Sequence, residues 1–181
     1  MRKLTHEEVA SNRLRPETVS VVEKRPIYGM LDNIRSLYNV GSMFRTSDGA
    51  LVRKLYLCGY TPHPPRKEIE KTALGSTTSV SWEYHHDPFT AIAAARDLGA
   101  KLCVLEQTTH SKPYFEVGKG DFPICLVVGN EITGVSPQII AAADMAIEIP
   151  MYGIKQSLNA AVAFGIALFE VVRIWNTLHT T

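Results

Sequence analysis

Three polar segments of the sequence combine residue types that can bind and activate a small substrate. The first places Asn39, Gly41 and Arg45 at the start of a helix-forming stretch, with Arg45 in otherwise apolar company. The second carries Glu131 in a glycine-rich loop after an all-apolar run, and the third carries Asn159 at a helix start. A guanidinium can stabilise developing negative charge, a carboxylate accepts hydrogen bonds, and free amides at a helix start bind anions.

The segments that must position these residues alternate β-type apolar runs with helical ones. This alternation predicts an α/β fold with a mostly parallel sheet and helices on both faces. The predicted strands are Ile27–Leu31, Lys54–Cys58, Val80–Glu83, Lys101–Leu105, Ile124–Val128 and Ala146–Ile149, and the predicted helices are Val40–Leu51, Pro88–Leu98, Ser136–Ala142 and Ser157–Trp175. Ligands of open α/β sheets bind beyond the carboxyl ends of the strands, and each polar segment follows a predicted strand.

Each polar segment also has an ordinary structural explanation. Asn39 can cap the helix that follows it, and Gly41 allows a close approach of another backbone. Ser157 is a natural N-cap, which would put Asn159 in the first turn, where backbone N–H groups are free. The segment around Glu131 can be a plain turn between a strand and a helix. Taken singly, none of the three establishes a site.

The N-terminal residues differ in pattern from the rest of the chain. Thr5–Glu8 matches a capping box, which predicts a short charged helix ending near Pro16. We therefore expect a helical arm over residues 1–25 and one main domain over residues 26–181, a division compatible with a chain of 181 residues and 20.0 kDa.

The formal net charge of +1 conceals an uneven distribution. Residues 1–71 carry thirteen Lys or Arg against eight Asp or Glu, and residues 72–181 carry six against ten. A polyanionic partner would therefore approach the N-terminal portion of the chain. The candidate phosphate-binding residues are Arg13, Arg15, Arg35, Arg66, Lys67 and Lys71.

Several other kinds of protein are disfavoured by what the sequence lacks. It contains no Gly-x-Gly-x-x-Gly and no Gly-Lys-Ser/Thr, and its histidines lack metal-ligand spacing, so we expect no metal. The three cysteines form no Cys-x-x-Cys and suit buried free thiols in a reducing compartment. The N-terminus does not resemble a signal peptide, and Glu170 and Arg173 interrupt the longest apolar region, so we expect a soluble cytoplasmic protein without a membrane span.

In this order, the three segments resemble the SPOUT superfamily of RNA methyltransferases, in its SpoU/TrmH-type branch. The resemblance covers roughly residues 26–175, most of the chain. It rests on Asn39…Gly41…Arg45, on Gly129-Asn130-Glu131…Gly134, and on Ile149-Pro150-Met151…Ser157-Leu158-Asn159. It implies a parallel sheet whose C-terminal segment threads through a loop to form a deep trefoil knot. It also implies a homodimer in which the partner chain completes each site and the last helix supplies much of the interface.

The resemblance further implies S-adenosylmethionine as the cofactor and a ribose 2′-hydroxyl of RNA as the methyl acceptor. The residues that it assigns to the cofactor are Leu105, Gly129, Ile149, Met151, Ser157 and Leu158. The residues that it assigns to catalysis are Arg45, Asn39, Glu131, Ser157 and Asn159. In this assignment, Asn39 orients Arg45 or the ribose, and Glu131 holds the substrate or the opposing arginine. Ser157 and Asn159 hold the cofactor loop and an RNA phosphate.

Arg45 would activate the hydroxyl, and two chemical routes remain open. An arginine normally stays protonated and is a poor base. Desolvation beside the positive sulfur of the cofactor could favour the neutral guanidine. Alternatively, the charged group could stabilise the developing alkoxide while a phosphate or water takes the proton.

Four alternative functions differ from a tRNA 2′-O-methyltransferase in ways that experiment can detect. A ribosomal RNA 2′-O-methyltransferase carries the same motifs, although this chain has little room for a separate substrate-binding domain, which favours tRNA. A non-catalytic RNA-binding module should have lost the arginine or the cofactor loop. A flavodoxin-like protein should bind flavin. A base methyltransferase of the same superfamily fits the Asn39…Arg45 segment less well.

Overall fold

The structure is a computed structural model that describes residues 1–11, 13, 14, 18 and 22–179. Arg15, one of the predicted phosphate-binding residues, and Pro16, the predicted end of the first helix, lie outside the described residues. The strands are β1 Arg25–Asp32, β2 Val52–Cys58, β3 Trp82–His85, β4 Lys101–Leu105, β5 Lys112–Pro113, β6 Ile124–Val128 and β7 Met145–Glu148. The α-helices are α1 His6–Ser11, α2 Leu37–Gly49, α3 Lys67–Ala73, α4 Ser76–Ser79, α5 Pro88–Asp97, α6 Pro137–Ala142 and α7 Ala160–His179.

The strands form one sheet in the order β3-β2-β1-β6-β4-β7-β5, and every pair of neighbouring strands is parallel. This confirms the predicted α/β fold with a parallel sheet. Because parallel strands end at the same edge of a sheet, the segments that follow β1, β4, β6 and β7 emerge side by side. All three polar segments belong to this edge.

Helices cover both faces of the sheet. Side chains alternate along β1, so that Ile27 and Leu31 face one layer while Tyr28 and Met30 face the other. The first layer contains α2, α3 and α7, and the second contains α5 and α6. Each large apolar side chain fully buried between a helix and the sheet stabilises the fold by about 2 kcal/mol.

Gly41 permits the close packing of α2 against α3. A Cβ atom at this position would collide with the Thr72 hydroxyl and the Ile69 carbonyl. The predicted close approach of a second backbone at Gly41 is therefore confirmed. Its partner, α3, was not predicted, because its seven residues are mostly charged and show little apolar periodicity.

The cap of α2 differs from the prediction. The helix begins at Leu37, three residues earlier than predicted, because the Ser36 hydroxyl accepts a hydrogen bond from the Asn39 amide at 3.2 Å. Asn39 thus lies inside the first turn and is not the N-cap, which leaves its side-chain amide free for other contacts.

The cap of α7 also differs from the prediction. The helix begins at Ala160, and the Asn159 Oδ1 atom accepts from the amides of Ala161 at 2.9 Å and Val162 at 3.3 Å. Asn159 is therefore the N-cap, and the prediction that Ser157 has this role is wrong. One residue of non-helical backbone, Leu158, separates Ser157 from the cap.

The N-terminal helix is shorter than predicted. The capping box is present, with the Glu8 amide donating to the Thr5 hydroxyl at 3.2 Å and the Thr5 amide donating to the Glu8 carboxylate at 2.8 Å. The helix itself ends at Ser11. No residue of α1 is buried, so little packing energy extends it further.

α7 combines a buried face with an apolar exposed face. Phe164, Leu168 and Val171 are completely buried against the sheet. By length and composition the helix could cross a bilayer, but the core helices of soluble proteins meet the same criterion. Val162, Ile166 and Phe169, spaced along one side, are 51%, 38% and 49% exposed.

Candidate active site

A cavity of about 500 Å³ opens at the carboxyl edge of the sheet. Binding sites for small molecules and cofactors commonly have volumes of this order. All six residues predicted to bind the cofactor line it: Leu105, Gly129, Ile149, Met151, Ser157 and Leu158. The structure therefore brings together residues from the ends of three strands and from the approach to α7.

Gly129 forms a narrow part of the cavity wall. A Cβ atom at this position would collide with the backbone of Gly134 and Val135, so only glycine fits. The loop between β6 and α6 can therefore fold back tightly on the end of β6. This places the backbone of Gly134 and Val135 directly against Gly129 at the cavity.

Asn130 holds that loop in shape. Its amide and carbonyl exchange hydrogen bonds with Gly134 at 3.0 and 2.9 Å, and its Oδ1 atom accepts from the Ile132 and Thr133 amides. Its Nδ2 atom donates to the Asn33 carbonyl at 2.9 Å and to the Tyr60 hydroxyl at 2.8 Å. Sequence reasoning assigned no role to Asn130, because these last two partners lie far away along the chain.

Glu106 is a second lining residue that sequence reasoning missed. Its carboxylate accepts from the Val135 amide at 3.0 Å and from the Gln107 amide at 3.0 Å. The Gln107 side chain donates to the Gln156 carbonyl at 2.6 Å, which joins the segment after β4 to the segment before α7. The sequence feature that could have identified Glu106 is its position, because it is a carboxylate directly after a buried strand.

Glu131 organises the start of α2. Its two carboxylate oxygens accept from the Arg35 amide at 2.9 Å, the Ser36 amide at 3.1 Å and the Asn39 side chain at 2.8 Å. Partial burial by itself raises the pKa of Glu131, but the hydrogen bonds outweigh this effect and hold the pKa below its ordinary value. Its predicted contact with a substrate or an opposing arginine stays a prediction.

Asn39 links Glu131 to the start of α7. While its Nδ2 atom donates to Glu131, its Oδ1 atom accepts from the Asn159 Nδ2 atom at 3.3 Å. Three of the predicted catalytic residues therefore form one hydrogen-bonded chain, and a fourth, Ser157, lines the neighbouring cavity. A polar chain of this kind fixes the side chains before any substrate arrives.

Arg45 lies apart from this chain of residues. It is exposed in the third turn of α2 and does not line the cavity. Its guanidinium has no hydrogen bond or ion pair with any residue that the structure describes. Its catalytic role stays a prediction, and the structure does not bring it to the cavity of its own chain.

The predicted phosphate-binding residues that the structure describes are all on the surface. None of them forms a side-chain ion pair within the described part of the chain: Arg13, Arg35, Arg66, Lys67 and Lys71. Arg66 is the N-cap position of α3, and Lys67 and Lys71 lie on that helix. Their positive charges are therefore available to a polyanion.

The described side chains include no group of three or more His, Cys, Asp or Glu residues placed to hold a metal ion. The cysteines are all buried. Burial, with a smaller effect from nearby Asp32, raises the pKa of the Cys58 thiol to about 12. Burial likewise raises the pKa of Cys103 to about 12.

Comparisons with known proteins agree with the geometry. Residues 26–169 match the SpoU rRNA Methylase family. Over 156 residues, the chain is 36% identical to a tRNA (guanosine(18)-2′-O)-methyltransferase of Aquifex aeolicus, in an alignment covering 84% of this chain and 72% of the relative.

Solved structures show the same fold. The A. aeolicus TrmH/SpoU tRNA modifying enzyme superposes with a TM-score of 0.78 at 34% identity, covering 90% of this chain and 82% of that one. The SpoU methyltransferase AviRb from Streptomyces viridochromogenes, solved in complex with the cofactor AdoMet, gives a TM-score of 0.77 at 25% identity, covering 86% and 63%.

Proposed function

Because this chain belongs to the SpoU rRNA Methylase family, we propose that it transfers a methyl group from S-adenosylmethionine to a ribose 2′-hydroxyl of tRNA. The observation that carries the proposal is the cavity at the carboxyl edge, which gathers all six predicted cofactor-binding residues. Its relative in A. aeolicus, named for tRNA 2′-O-methylation, supports tRNA over ribosomal RNA.

The lining of the cavity suits this cofactor. Leu105, Ile149, Met151 and Leu158 supply apolar surface for the adenine ring, and the backbone around Gly129 offers hydrogen-bonding groups at close range. When bound, the cofactor supplies a methyl group activated by the positive sulfonium. The chain itself must hold and orient the acceptor hydroxyl.

We propose that Arg45 acts as a charged group. The guanidinium is exposed and has no hydrogen bond or ion pair with the described residues, and an arginine side chain in a protein carries a positive charge. It then stabilises the negative charge that develops on the ribose oxygen, while an RNA phosphate or water accepts the proton. Asn39, held by Glu131 and Asn159, is available to orient the ribose.

Arg45 does not line the cavity of its own chain, and a second copy of the chain could bring it to a cavity. The start of α7 lines the cavity through Ala160 and Ala163, and the same helix carries the exposed stripe of Val162, Ile166 and Phe169. α2, which carries Arg45, packs beside α7. We propose a homodimer that buries this stripe and places Arg45 beside the partner subunit's cavity. An exposed apolar stripe is otherwise a liability for aggregation.

The trefoil knot is part of the same proposal. β7 lies inside the sheet between β4 and β5. The segment that follows it is tied to the segment after β4 by the hydrogen bond between Gln107 and Gln156, before it reaches α7. This arrangement supports threading of the C-terminal segment through a loop. A crystal structure that traces the segment outside the loop would overturn the knot.

Mass spectrometry of nucleosides tests the activity. Purified protein is incubated with S-adenosylmethionine and unmodified tRNA, and with ribosomal RNA in parallel. We expect 2′-O-methylated nucleosides in the tRNA alone. Methylation restricted to ribosomal RNA or to a base would replace the proposed substrate or reaction. No methylation of either RNA, with the cofactor bound normally, would favour the non-catalytic binding module.

Arg45→Ala tests the catalytic assignment, with Arg53→Ala as the matched control, since Arg53 lies at the opposite end of the sheet. We expect Arg45→Ala to abolish methylation while leaving the affinity for S-adenosylmethionine nearly unchanged.

Mixing Arg45→Ala with Gly129→Ala protein should restore part of the activity if the two halves of a site come from different subunits. Wild-type turnover by Arg45→Ala alone would overturn its role.

A further inference from the structure

Three exposed rings lie on the β3 side of the carboxyl edge, in a region that the proposed function does not yet use. Tyr60 and His63 belong to the loop between β2 and α3, and Tyr84 belongs to the edge strand β3. Tyr60 is 60% exposed and Tyr84 is 40% exposed. We call these three residues the aromatic platform.

Tyr60 is fixed at both ends while its ring remains exposed. Its backbone amide donates to the Asn33 side chain at 3.1 Å, and its hydroxyl accepts from Asn130 at 2.8 Å. Asn130 shapes the wall of the cavity, and its neighbour Glu131 holds Asn39. The ring of Tyr60 is therefore anchored directly to the loops that build the proposed active site.

Tyr84 and His63 are held in a similar way. The Tyr84 hydroxyl donates to the Gly59 carbonyl at 2.7 Å. The His63 ring lies 4.8 Å from the Tyr84 ring and 5.9 Å from the Trp82 ring, nearly parallel to the latter. The His63 Nδ1 atom lies 2.9 Å from the Pro64 carbonyl, to which it donates.

The loop that carries Tyr60 and His63 is firmly seated. Between them lies Thr61, which is 2% exposed. The Thr61 hydroxyl donates to the Leu31 carbonyl at 2.9 Å and accepts from the Ile34 amide at 3.1 Å. A ring held by such a loop loses little conformational entropy when a ligand binds, which favours stacking on it.

Positive charge borders the aromatic platform. Arg66 and Lys67 follow His63 by three and four residues, and Arg35 lies on the loop that Glu131 holds. These side chains have no ion-pair partner among the described residues. Aromatic rings interspersed with cations suit a single-stranded nucleic acid, because bases stack on the rings while the cations bind the phosphates.

We propose that an unpaired base of the substrate RNA, next to the nucleotide that is methylated, stacks on Tyr60, with Tyr84 and His63 extending the surface to a second base. This inference rests on the proposed function and specifies its substrate as an RNA with unstacked nucleotides at the target. Arg35, Arg66 and Lys67 bind the phosphates of the same strand. The platform binds any base that is unstacked and accessible, whichever base it is, because every base has a stacking face.

The test uses Tyr60→Leu, which removes the aromatic face but keeps apolar bulk, and Tyr60→Phe, which keeps the face. The probe is a short single-stranded RNA carrying one 2-aminopurine, whose fluorescence falls when it stacks. We expect quenching with wild type and Tyr60→Phe but not with Tyr60→Leu. The affinity for unmodified tRNA should fall about tenfold to a hundredfold in Tyr60→Leu.

Phe115→Ala is the matched control, because Phe115 is 51% exposed but follows β5 at the opposite edge of the sheet. It should leave both readouts unchanged. Tyr60→Leu could disturb the Asn130 loop, and a loss of affinity for the cofactor would reveal this. Tyr84→Leu is therefore a second variant, because Tyr84 makes no hydrogen bond with Asn130. It should weaken tRNA binding several-fold.

Salt dependence distinguishes stacking from a change in charge. Tyr60→Leu should shift tRNA affinity without changing its slope against salt concentration, whereas Arg66→Ala should reduce the slope. If wild type methylates tRNA but both leucine variants bind tRNA as tightly as Phe115→Ala does, bases do not stack on the aromatic platform, and the proposed function stands. If wild type neither binds nor methylates tRNA, the proposed function fails, and the platform fails with it.

Discussion

The side-chain amide of Asn39 donates to the carboxylate of Glu131 across 2.8 Å, although the two residues lie 92 positions apart in the sequence. This contact joins the first turn of α2 to the loop that walls the cavity. Since Glu131 also accepts from the Arg35 and Ser36 amides, it acts as a second cap for α2. The position of α2, and of Arg45 upon it, thus depends on a loop at the centre of the sheet.

Glu131→Gln should destabilise the fold by about 1 kcal/mol at pH 7, as loss of a helix cap does. The pKa of Glu131 in the folded protein lies below its ordinary value of 4.5. Its carboxylate therefore contributes fully above pH 4.5, and the contribution is lost as the pH falls through the folded-state pKa.

Thermal unfolding from pH 7 down to pH 3 measures this effect. The difference in Tm between wild type and Glu131→Gln should be largest at pH 7 and should shrink below about pH 4.5. Glu116→Gln, at an exposed carboxylate outside the site, should show little difference at any pH. A gap that widens on acidification would contradict the assignment.

Asn159→Ala should cost about 1 kcal/mol in the free energy of unfolding, because it removes the side-chain cap of α7. Ser157→Ala should change that free energy by less than about 0.5 kcal/mol, since Ser157 lies outside the helix. Urea unfolding of both variants measures the difference. Equal losses would mean that Asn159 does not cap the helix.

Gly129→Ala should destabilise the protein by about 1–3 kcal/mol, because the new methyl group would collide with the backbone of Gly134 and Val135. The affinity for S-adenosylmethionine should fall by at least about tenfold, because the loop must move into or away from the cavity. Calorimetric titration checks this. Gly120→Ala is the control, since its Cβ would meet nothing within 4 Å.

The cysteines should be unreactive in the folded protein. Burial raises the pKa of Cys58 and Cys103 to about 12 and raises that of Cys125 as well, so little reactive thiolate exists at pH 8. A chromogenic disulfide reagent should detect no thiol within minutes in native protein and three after denaturation. A rapidly reacting thiol in the native state would show that one of these sites opens to solvent.

The strands with continuous apolar runs were predicted with the observed bounds. β4 and β6 begin and end where the sequence places them, because both faces of a central strand are buried and its pattern ends abruptly. β5, with two residues, and α4, with four, gave no signal of their own. Such short elements form only because neighbouring segments pack against them.

The candidate site was partly accessible to sequence reasoning. The residues that line the cavity could be named because they lie in recognisable motifs after strands. Sequence reasoning did not find the connection among Asn130, Glu106 and Tyr60. The role of each residue depends on hydrogen bonds with another loop. A side chain that hydrogen-bonds to a remote backbone looks, in the sequence, like any polar residue in a turn.

The sequence by itself determined the alternation of the longer strands and helices and the polar segments after the strands, because these depend on local periodicity and residue type. Only the tertiary structure decided which polar residue serves which purpose. Ser36 and Asn39 are both suitable helix caps, as are Ser157 and Asn159. Glu131, brought from a distant loop, binds the Asn39 amide, and Asn39 in turn binds Asn159, so the competition between equal local candidates is settled by long-range hydrogen bonds.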